Sequence, residues 1–176
     1  MLDTLITSKT RLKILLRFFM NSKNSSYMRS LANEFHESTN SIRLELNRFE
    51  DAGLLSAYNE GNKKMFKANI KHPLYPDIKN ILMKHIGLDK IVENVVKKLG
   101  DVKKVFVSGD FARGIDSSII DLIFVGKINQ AYLIKLIEKV ENMINRRIRY
   151  MVFDKNEFIE YTREHKEDKL LLLWEE

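Results

Sequence analysis

Two groups of side chains in this sequence are of the types that do chemistry. The first lies in residues 39–47, where Thr39, Asn40, Ser41, Arg43 and Asn47 bring small hydroxyls, amides and a guanidinium together. Such groups hydrogen-bond base edges and phosphates in a major groove. Lys63 and Lys64 follow. Ammonium groups there would reach a phosphate backbone, adding position and salt dependence but no sequence information. The second group is Gly109, Asp110, Arg113, Asp121 and Arg149. Clustered carboxylates hold magnesium for phosphoryl transfer, and arginines hold a phosphate or a carboxylate.

Other chemistries are set aside on residue type and spacing. Cysteine is absent, so there is no disulfide framework, zinc finger or thiol nucleophile. His36, His72, His85 and His165 are scattered, with no pair at helical spacing for a metal. Gly109 to Gly114 does not fit the Gly-x4-Gly-Lys-Ser/Thr phosphate loop. Ser108 has no recognisable His–acid pair around it. Glu157, Glu160 and Glu164 read as a solvated helix face. No catalytic residue, metal or cofactor is expected.

Composition bounds the rest. The chain has 176 residues, 44% hydrophobic and 31% charged, an ordinary globular balance. The longest apolar run, Ile119 to Val125, is interrupted by Asp121 and is far short of the roughly 18 residues of a membrane span. Lys9, Arg11, Lys13 and Arg17 break the pattern of a signal peptide. A cytoplasmic protein without membrane contact is expected. The net charge is +6. Residues 1–70 carry eleven basic against seven acidic side chains, the larger excess per residue.

The elements that must position these groups follow from periodicity. Residues 8–20 read as a helix capped by Ser8, with an apolar stripe wider than one packing face requires. It is expected to be covered on two sides, by a subunit interface or a second domain. Residues 26–36 read as a second helix starting at Ser25 or Ser26. A third runs from Thr39 to Ala52, capped by Ser38 and ended by Gly53. Its inward stripe of Ile42, Leu46 and Phe49 leaves Asn40, Ser41, Arg43 and Asn47 outward, with Glu45 unfavourably near them. A hairpin of 54–58 and 64–68 follows, turning at NEGNK. Pro73 and Pro76 mark a domain junction. Helices are expected at 76–86 and 88–99, and strands at 103–109, 119–126 and 146–153. A helix over 130–144 turns Leu133, Leu136, Ile137, Val140, Met143 and Ile144 inward. Asp154 and Glu157 suggest a capping box for a helix over 154–165. The apolar LLLLWEE tail must pack somewhere.

Helix, helix, helix and hairpin within 8–70 is the layout of a winged helix. STNSIRLELNRFEDAGLL resembles the recognition helix of ArsR- and MarR-type regulators at Leu46, Phe49, Glu50, Gly53 and Leu54. The resemblance implies double-stranded DNA as partner. Winged helices also serve as protein-interaction modules, which leaves an adaptor as the alternative.

VFVSGDFARGIDSSIIDLIFVG (105–126) resembles the signature of the small nucleotidyltransferase fold of the DNA polymerase β superfamily. The resemblance spans about 88–153. Gly109, Phe111, Ala112, Arg113 and Gly114 match its loop, and Asp121 matches the second of its metal-binding acids. The departures are Asp110 for the loop serine, Ile119 for the first acid and Arg149 for the third-strand acid. One carboxylate does not rebuild a two-metal site. The resemblance therefore implies a degenerate, catalytically inactive domain, with Asp121 paired to Arg149. Arg113 and Arg149 could alternatively hold a small-molecule effector. An active enzyme with relocated acids (Asp110, Asp116, Asp121) is the rival from another class.

The expected architecture is α+β in two domains. Residues 1–70 form a winged helix-turn-helix. Residues 71–176 form a helical connector and a nucleotidyltransferase-like α/β domain with a short mixed sheet. The whole is expected to be a homodimeric transcription regulator, not an enzyme, joined through the first helix or the 76–99 helices.

Overall fold

The computed structural model describes residues 2–166 and 168–176, with Asp3 described by its backbone alone. The chain is α+β and divides into two compact units, 1–82 and 83–176. The division falls inside helix α5 (Tyr75–Ile86) and not at residue 70. Pro76 sits in the first turn of that helix, where a missing amide hydrogen leaves no bond unmade. Pro76 therefore starts a helix, and Pro73 lies in the turn before it.

In the first unit the order is α1 (Leu2–Leu5), α2 (Lys9–Phe19), β1 (Ser25–Tyr27), α3 (Met28–Phe35), α4 (Thr39–Asp51), β2 (Leu55–Glu60) and β3 (Lys63–Ala68). Ser8 caps α2 by accepting the Arg11 amide. Ser38 caps α4 by accepting the Ser41 amide. Each satisfies a first-turn donor that the helix itself cannot. Ile42, Leu46 and Phe49 of α4 are buried, as are Leu31 and Phe35 of α3. Gly53 follows α4 with φ +72°, a conformation that side chains resist.

Two expectations are corrected in this unit. Ile14, Leu15, Leu16, Phe18, Phe19 and Met20 are buried within the single chain, so this stripe is not available as a subunit interface. Ser25, Ser26 and Tyr27 do not begin a helix. They pair antiparallel with Lys67, Phe66 and Met65, giving a sheet of order β1-β3-β2. That pairing satisfies amides that β3 would otherwise leave at an open edge. The β2–β3 register runs from Leu55↔Ala68 to Glu60↔Lys63 and leaves Gly61 and Asn62 as a two-residue turn.

In the second unit the order is α6 (Leu88–Ile91), a π-helical turn (Val92–Val96), α7 (Lys97–Leu99), β4 (Val102–Ser108), α8 (Gly109–Arg113), β5 (Ile119–Gly126), α9 (Gln130–Ile144), β6 (Arg147–Phe153), α10 (Lys155–Glu164) and β7 (Leu171–Glu175). The sheet has the order β6-β5-β4-β7 and is mixed. β5 and β6 run parallel through the crossover helix α9, and β4 pairs antiparallel with both β5 and β7. β5 is central, which explains its near-continuous apolar run. The C-terminal apolar tail is the edge strand β7. Asp154 and Glu157 form a capping box on α10. Met143 is 51% exposed, contrary to its expected inward position, while Leu133, Leu136, Ile137 and Val140 are buried. No helix among the described residues is long and apolar enough to cross a membrane.

A candidate nucleic-acid interface and a pocket beside Gly109

The α4 stripe fixes which side chains face outward. Thr39, Asn40, Arg43 and Asn47 are exposed and Ser41 is half-buried. Arg43 donates to Asn40 Oδ1 at 2.7 Å, one turn back on the same face. The two-residue turn folds β3 back beside β2 and brings Lys63 and Lys64 to the mouth of a groove of about 630 Å³. Its floor is Tyr27, Met28, Leu46 and Phe66. Its polar rim is Arg29, Arg43, Asn47, Asn62, Lys63 and Lys64. Thr39, Asn40 and Ser41 lie on the same helix but do not line the groove.

The groove cations are held differently. Lys64 Nζ is 2.7 Å from Glu50 Oε2 and 5.1 Å from the Phe66 ring centroid. Lys63 Nζ lies 4.5 Å from the centroid of Tyr27. Arg29, on α3, went unnoticed in the sequence. Its one signal is position, since it lies off the inward pair Leu31 and Phe35.

Glu45 does not face a ligand. It is buried, and accepts Arg11 Nε at 2.9 Å, Arg11 Nη2 at 3.2 Å and Arg48 Nη1 at 2.9 Å. Burial pushes its carboxyl up, but the Arg11 hydrogen bonds and the charges of Arg11 and Arg48 outweigh that and hold it below the usual range. This network ties α4 to α2 and so helps set which face α4 presents.

In the second unit, adjacent strands bring the expected residues together. Asp121 on β5 stands opposite Arg149 on parallel β6 and Ser108 on antiparallel β4. Arg149 donates Nε to Asp121 Oδ1 at 2.7 Å and Nη2 to Oδ2 at 3.0 Å, the expected contact in bidentate form. Asp121, and secondarily Asp110, hold the Arg149 guanidinium above its ordinary pKa. Gly109 has φ +61°, and a Cβ there would collide with the Asp121 carboxylate. Arg113 Nε donates to the Gly109 carbonyl at 3.3 Å and its Nη2 is 3.9 Å from Asp110.

A pocket of about 420 Å³ lies over this pair, lined by Ser108, Gly109, Arg113, Asp121, Tyr161, Asp168 and Lys169. The last three were not anticipated, because α10 and the segment after it reach the site through tertiary packing. Tyr161 donates to Asp168 at 3.0 Å. Burial, then that bond and the Asp168 charge, push its phenol up.

The rival acids are not gathered. Asp116 pairs with Arg146 at 2.8 Å and Asp121 with Arg149, while Asp110 lies 3.9 Å from Arg113 and acts on Arg149 only through its charge. No group of three His, Asp or Glu side chains among the described residues could hold a metal ion. The donor set does not fit a two-magnesium centre. Ile119 supplies no oxygen, and both Asp121 oxygens are engaged by a cation.

No protein-family model matches the chain. No curated protein matches it. Two solved structures are similar. One is AF1382 from Archaeoglobus fulgidus, at 22% identity and a TM-score of 0.39, over 47% of this chain and 93% of that one. The other is a "putative nucleotidyltransferase" from Sulfolobus solfataricus, at 25% identity and a TM-score of 0.37, over 53% of this chain and 82% of that one. The second name is that of an enzyme, and the expectation that the chain is not an enzyme is corrected on that finding. Similarity at this level assigns neither an activity nor a partner to this chain.

Proposed function

We propose that this chain is a double-stranded DNA-binding transcription regulator that works as a homodimer. Its N-terminal unit acts as a winged helix, with α4 as the reading helix and the β2–β3 hairpin as the wing. The observation that carries this reading is the groove, where Arg43 and Asn47 of α4 meet Lys63 and Lys64 of the hairpin. Amide and guanidinium groups suit base edges, and the hairpin ammoniums suit phosphates. Thr39, Asn40 and Ser41 extend the polar face toward the start of α4. Glu45, turned inward and neutralised by two arginines, does not oppose a phosphate. Two-fold pairing supplies the second half-site that a single short helix needs for specificity. The C-terminal unit is read as nucleotidyltransferase-like, with the pocket beside Gly109 as the entry for any small effector.

Selection of bound fragments from random duplex DNA at about 150 mM salt tests this, because the nonspecific phosphate term is weakened there. Enrichment of an inverted repeat, lost in an R43A/N47A variant, is the expected result. No enrichment would reject the DNA reading. A partner captured with affinity insensitive to salt and to R43A/K63A/K64A would favour a protein adaptor.

A further inference from the structure

The groove cations are not equivalent in the free protein. Lys64 is paired with Glu50, Lys63 sits against the Tyr27 ring, and Arg43 bonds Asn40. Each already holds a contact that a ligand would share or displace. Arg29 is exposed, lines the same groove, and has no hydrogen bond or ion pair among the described residues. It projects from α3, an element separate from both the reading helix and the hairpin. A guanidinium is also the better phosphate ligand, because its planar fork bonds two oxygens at once.

We infer that Arg29 is the leading phosphate contact of the groove, and that Glu50 holds Lys64 back until duplex DNA displaces it. The inference rests on the DNA reading of this groove and ranks its cations. A cation with no competing partner contributes its full contact. One that leaves a carboxylate contributes only the difference. Arg29 bonds a phosphate from the α3 side, and Lys64 exchanges the Glu50 carboxylate for a phosphate oxygen.

The test measures affinity for a fixed duplex against salt concentration, for wild type and for R29Q, R29K, K64M and E50Q. Circular dichroism checks that each variant folds. R29Q is expected to bind about tenfold more weakly near 100 mM salt and to lower the salt slope by about 0.9. R29K should keep the slope and lose only part of the affinity. K64M should weaken binding less than R29Q, and E50Q should tighten it. A wild type that fails to bind duplex overturns the DNA reading, and this inference with it. A wild type that binds, beside an R29Q variant of unchanged affinity and slope, overturns the inference alone. An E50Q variant that binds no better than wild type overturns the role given to Glu50.

Discussion

Arg11→Met should destabilise the N-terminal unit, and the loss should depend on pH in a direction the structure dictates. The substitution removes two of the three charge-assisted hydrogen bonds to Glu45, whose side chain is only 8% exposed. Arg48 remains, but it is 62% exposed and compensates only partly. Breaking a fully buried ion pair costs about 3–5 kcal/mol, because a charge is left without a partner. Arg11 is itself 39% exposed, so solvent already screens part of the attraction. The expected loss is about 2 kcal/mol near neutral pH. In the wild type the Glu45 carboxyl is held below its unfolded value. Its contribution is therefore complete above the unfolded pKa, about 4.3, and is lost as pH falls through the folded value. The gap between wild type and Arg11→Met should be open at about pH 7 and should narrow below about pH 4. Urea unfolding followed by far-ultraviolet circular dichroism at both pH values measures it. A gap of the same size at both would refute the assignment to the Glu45 charge.

Leu46→Ala should cost about 2–5 kcal/mol in the same unfolding experiment, since Leu46 is buried at the centre of the α4 stripe. A loss well under that range would mean that α4 packs differently. Gly109→Ala should cost at least about 1–2 kcal/mol, from the positive φ and from the collision with Asp121. An unchanged melting temperature would contradict that geometry. Asp121→Asn, Arg149→Met and their double variant should be non-additive, because the two side chains bond each other directly. Strict additivity would reject the pair as a stabilising contact.

Features legible from the sequence are those whose causes lie within a few residues. Ser38 caps α4 through the amide three residues on, and Asp154 and Glu157 cap α10 in the same way. The stripe Ile42, Leu46 and Phe49 repeats at helical spacing and is buried. Even Asp121–Arg149 was readable, because two neighbouring strands bring an apolar-strand acid opposite an arginine and an unpaired acid there would be costly.

Tertiary structure decided whatever depends on a distant partner. Ser25–Tyr27 is a strand only because β3 offers it a ladder, and the C-terminal tail is one only because β4 does. Glu45 reads as an acid on a ligand-binding face until Arg11, 34 residues earlier, turns out to bond it. Arg29 joins the groove because α3, α4 and the hairpin converge there. Tyr161 and Asp168 reach Gly109 for the same reason. Local hydrogen bonding and periodicity are written in short windows of sequence. Pairing and charge compensation between remote residues depend on chain closure, for which such a window holds no signal.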